Sequence, residues 1–66
     1  MKKSFDYIIN TGMEKNNLQP TLASPTKEEG IKDAKRLLKF YTYTEVVLMP
    51  EDDVDVNEVV WKSWEE

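Results

Sequence analysis

Residues 26–40 read TKEEGIKDAKRLLKF, and this stretch decides the fold. Thr26 and Glu29 form a T-x-x-E capping box, whose two side chains satisfy backbone donors at a helix start. Glu28 and Glu29 fall in the first turn, and Lys35, Arg36 and Lys39 toward the other end, so both charge groups complement the helix dipole. Ile31, Ala34 and Leu38, flanked by Leu37 and Tyr41, recur at spacings of three and four and make one apolar stripe. The spacing predicts an amphipathic helix over about 26–40. Gly30 inside it costs ~1 kcal/mol relative to alanine, which close approach to a sheet would offset.

Upstream, Phe5, Tyr7 and Ile9 alternate with Asp6, Ile8 and Asn10 from Ser4 to Thr11, a period of two that predicts a strand ended by Gly12. Residues 12–25 read as a loop with room for a short edge strand. Leu18, Pro20 and Leu22 share a parity there, and proline is confined to sheet edges. Downstream, the β-branched and aromatic run Tyr41 to Met49 carries apolar groups on both parities, the mark of a central strand or of one whose second face a partner covers. Pro50 stops it, Glu51-Asp52-Asp53 makes a solvated turn, and Val54 to Trp64 supplies a last strand centred on Glu58 to Trp64. By parity Trp61 shares a face with Val59 and is buried, and Trp64 faces the other way.

The fold class is therefore α+β: a single domain over 1–66, one helix on a mainly antiparallel sheet of three or four strands. The order is β, loop or short β, α, β, β. Were the first strand and the strand after the helix parallel neighbours, their crossover would be right-handed.

A chain of 66 residues, net charge −4, without cysteine or histidine, excludes much. There is no thiolate, disulfide or imidazole, so no Cys-based zinc site and no Ser-His dyad. Ser4, Asp6 and Asn10 interrupt any apolar stretch after Met1-Lys2-Lys3, which argues against a signal peptide. Only Gly12 and Gly30 are present, too few for a phosphate-cradling loop. No catalytic residues, cofactor or metal are predicted. Asp53, Asp55 and Asn57 match the opening of a calcium-binding EF-hand loop, but Glu58 stands where its glycine belongs and Trp64 where its glutamate belongs.

Two constellations remain. Residues 1–39 hold eight basic against five acidic side chains, +3, and residues 40–66 one against eight, −7. The acidic part also carries both tryptophans, which nominates an acidic, aromatic partner-binding surface: Tyr43, Glu45, Glu51, Asp52, Asp53, Asp55, Glu58 and Trp64. Against it stands a basic stripe on the helix, Lys32, Lys35, Arg36 and Lys39, which reads as a phosphate-contacting face or as an ordinary solvated surface with Glu28 paired to Lys32.

The expectation is a cytoplasmic, non-enzymatic module that binds a protein with a basic surface, acting as an acidic inhibitor or regulator of nucleic-acid-binding machinery. Small acidic chains of phage and mobile elements, anti-CRISPR inhibitors among them, offer a parallel of class that no motif carries. The alternatives are a nucleic-acid-binding module using the helix stripe, or a structural homo-oligomer, for instance a homodimer. No membrane partner is expected.

Overall fold

The computed structural model describes residues 4–53 and 55–65. Four strands, β1 (Tyr7–Gly12), β2 (Gln19–Ser24), β3 (Tyr43–Leu48) and β4 (Glu58–Lys62), form one antiparallel sheet in the order β2-β1-β3-β4. Helix α1 (Lys27–Leu37) runs between β2 and β3, and a 3-10 turn, Ser63–Glu65, follows β4. The fold class and element order are those read from the sequence. The neighbours β1 and β3 are antiparallel, so the crossover rule for a parallel pair does not apply to them.

Strand β3 lies inside the sheet, as its two apolar parities require, and β2 is an edge strand that includes Pro20. Thr26 caps α1 as expected, its hydroxyl accepting the Glu29 N–H at 3.2 Å. The helix is shorter than the 26–40 expectation and stops at Leu37. Leu38 N–H donates to Lys35 O at 3.3 Å in a tightened turn, and Ala34 O instead receives the Thr44 hydroxyl at 3.1 Å. Leu38 is consequently 39% exposed and Phe40 71%, and Leu37 takes the place in the apolar stripe expected of Leu38.

The core is small. Ile9, Ala34 and Val46 are fully buried, with Tyr7, Ile31, Leu37, Val60 and Trp61 packed around them. A Cβ on Gly30 would stand 3.1 Å from Val46 Cγ1 and 3.6 Å from Tyr7 Cβ, so the missing side chain lets α1 lie directly on β1 and β3. Buried hydroxyls add to the seam: Thr44 bonds Ala34, and Ser24 Oγ donates to Asp33 Oδ2 at 2.9 Å. No buried side-chain polar atom among the described residues lacks a partner, as burial without water demands.

The last strand departs from the expected parity. In the β3–β4 register Val46 faces Trp61 but Val47 faces Val59, so Val60 is an extra, bulged residue. The bulge puts Val59 and Trp61 on opposite faces of the sheet. Trp61 packs against the helix-side core, while Val59 is 41% exposed on the other side. The strand also ends at Lys62, so Trp64 sits in the 3-10 turn and follows no strand parity. Val54, expected at the start of this strand, lies outside the described residues.

The exposed surface is 4830 Å², about a tenth above the ~4,400 Å² expected for a compact chain of this mass. Among the described residues no second layer of helix or strand lies over the side opposite α1.

Candidate functional site

Side chains of the uncovered face follow from the register. Ile8, Val47 and Val59 lie abreast across β1, β3 and β4, and Asn10, Glu45 and Lys62 form the next polar row but one position along. Val47 is only 3% exposed between its two flanking neighbours. Asn10 Nδ2 donates to Glu45 Oε2 at 2.9 Å, so Glu45 is engaged within the sheet.

The acidic loop between β3 and β4 projects from one end of this face. Glu51, Asp52, Asp53 and Asp55 are exposed, and among the described residues no cation pairs with any of them. Backbone bonds shape the loop: Asp53 N–H to Pro50 O at 3.3 Å, Val56 N–H to Asp53 O at 3.2 Å, and Asp55 N–H to Asp53 Oδ1 at 3.3 Å. The loop is anchored to the strand before β1's start, because Met49 N–H donates to Asp6 O at 2.7 Å and Glu51 N–H to Asp6 Oδ1 at 3.3 Å. Asp6 thus joins the acidic cluster, through a register that no local pattern in the sequence signals. Glu58 opens β4 beside this loop and is exposed.

Tyr43 and Trp64 lie at the other end. Their rings meet edge to face with centroids 5.5 Å apart, Lys15 Nζ is 5.8 Å from the Tyr43 centroid and Lys62 Nζ is 6.0 Å from that of Trp64. Strand β3 separates them from the acidic loop, about 17 Å for five steps along a strand. The eight nominated residues therefore do not form one patch: five carboxylates lie at one end, two aromatics with two lysines at the other, and Glu45 lies between them within β3.

On the helix, Lys32, Lys35, Arg36 and Lys39 are all exposed. Arg36 pairs with Asp33 in the same helix, and the Glu28–Lys32 pair is not formed. Lys32 instead lines a groove against β2. Among the described residues no three Asp or Glu side chains converge as metal ligands, and no helix is long and apolar enough to cross a membrane. No family model, curated protein or solved structure matches the chain, and its reading rests on its own residues.

Proposed function

We propose that the chain is a small non-enzymatic module that binds a protein with a basic surface, and so inhibits or regulates a nucleic-acid-binding machine. The observation that carries this reading is the β3–β4 loop, where four exposed carboxylates have no cation partner among the described residues, at the end of the sheet face that α1 does not cover. Unpaired exposed charge steers encounter with a cationic groove, and the half-exposed Met49 and Val59 behind it, each 41% exposed, supply apolar contact. Such a loop occupies a groove shaped for phosphates by charge alone.

The rival nucleic-acid reading is weakened by the Asp33–Arg36 pair, which neutralises one of the four cations of the helix stripe. Self-association through sheet edges is opposed by the bulges at Thr21 in β2 and Val60 in β4 and by Pro20, features that discourage further strand pairing. Competition tests the proposal. The chain should displace labelled double-stranded DNA from a short Lys/Arg-rich peptide, less effectively as salt rises. DNA that stays on the peptide at low salt would overturn the reading. A gel shift of DNA by the chain itself would transfer the function to the helix stripe.

A further inference from the structure

We propose that the groove between α1 and the C-terminal end of β2 is a binding site for a small monocarboxylate with an apolar body. This site lies at the β2 edge on the helix side and goes beyond the acidic-loop reading. The groove is open, with a volume of about 570 Å³. Phe5, Ala23 and Pro25 form its apolar wall, and Phe5 is left 46% exposed. Its other wall is one face of α1, since Glu29, Lys32, Asp33 and Arg36 recur at helical spacing.

The polar groups are held in place. Ser24, 2% exposed, donates its hydroxyl to Asp33 Oδ2 at 2.9 Å, and Asp33 Oδ1 accepts from Arg36 Nη2. Both oxygens of Asp33 are thereby engaged, and its role is to position the guanidinium over the groove. A guanidinium has five N–H donors, and among the described residues Asp33 is the only acceptor of the Arg36 side chain. Lys32, one turn earlier, has no hydrogen-bond or ion-pair partner among the described residues.

Arg36 is charge-compensated by Asp33 but keeps N–H donors, so those donors and the Lys32 ammonium beside an apolar wall suit an anion attached to an apolar group, and guanidinium matches a carboxylate bidentately. Glu29 on the same face holds a carboxylate of its own, which repels a second negative charge and so favours a monoanion over phosphate. A purely structural tie from helix to sheet would need the Ser24–Asp33 bond alone. It gives no role to Lys32, to the remaining donors of Arg36 or to the half-exposed Phe5.

Amide NMR of the whole chain tests this, with phenylacetate, phenylacetamide, inorganic phosphate, and a tripeptide ending in phenylalanine with its terminus free or amidated. Saturable shifts at Ala23, Ser24, Asp33 and Arg36 with a carboxylate probe, at least about tenfold weaker with its amide, support the proposal. Response to phenylacetate alone assigns the carboxylate to a free acid, and response to the free tripeptide as well extends it to a peptide terminus. Lys32→Gln and Arg36→Gln, at exposed positions, should keep the thermal midpoint and each weaken binding about tenfold. Absence of saturable shifts with either carboxylate, equal binding of acid and amide, tighter binding of phosphate, or wild-type affinity in both variants would overturn it.

Discussion

The two faces of the sheet divide the work of the molecule. Under α1, Ile9 and Val46 are fully buried against Ala34, and Gly30 brings the helix backbone to within van der Waals contact of Val46. On the opposite face Val59 and Met49 are each 41% exposed, Glu45 is tied to Asn10, and the acidic loop projects from one end. Stability is concentrated where a few side chains fill a dry seam. The exposed carboxylates without a cation partner among the described residues lie at the end of the face that α1 does not cover.

Substitutions sharpen this contrast in descending order of effect. Ile9→Ala removes one of the fully buried side chains and should cost about 2–5 kcal/mol, against a total stability of about 3–10 kcal/mol for a domain of this size. A denaturant melt showing under 1 kcal/mol would remove the helix-side seam as the source of stability. Thr44→Val keeps the shape but deprives Ala34 O of the hydroxyl that replaces its helical partner, for a loss of about 1–2 kcal/mol. Amide exchange should then be fastest at Leu38 to Phe40, where the helix tightens; uniform exchange would show that the hydroxyl does not hold the helix end. On the open face, Val59→Thr retains the branched side chain and should change stability by no more than about 0.5 kcal/mol. A larger loss would mean that this face is part of the core.

The sequence discloses these two faces unequally. The capping box at Thr26 and Glu29 and the paired parities of β3 identify the helix and the interior strand, because both signals are local. The bulge at Val60 leaves no mark in composition or periodicity, yet it reverses the relation of Val59 to Trp61. The end of α1 is likewise set from a distance, by a hydroxyl on β3 that takes over Ala34 O.

For the candidate site, the carboxylates of the loop were legible as a cluster because four of them fall within residues 51–55. Their separation from Tyr43 and Trp64 was not, since it depends on where β3 begins and on Trp64 leaving the strand. The engagement of Asp6 with Glu51, and the chain from Ser24 through Asp33 to Arg36, join residues that only the tertiary fold brings together.

We propose that the fold is held on the helix side and that recognition belongs to the acidic loop. Titration of a Lys/Arg-rich peptide into the wild type and into the triple variant Asp52→Lys, Asp53→Lys, Asp55→Lys, with thermal melts of both, tests it most directly. A loss of affinity of about tenfold or more is expected, with the melting midpoint little changed. Unchanged affinity in a folded triple variant would contradict it.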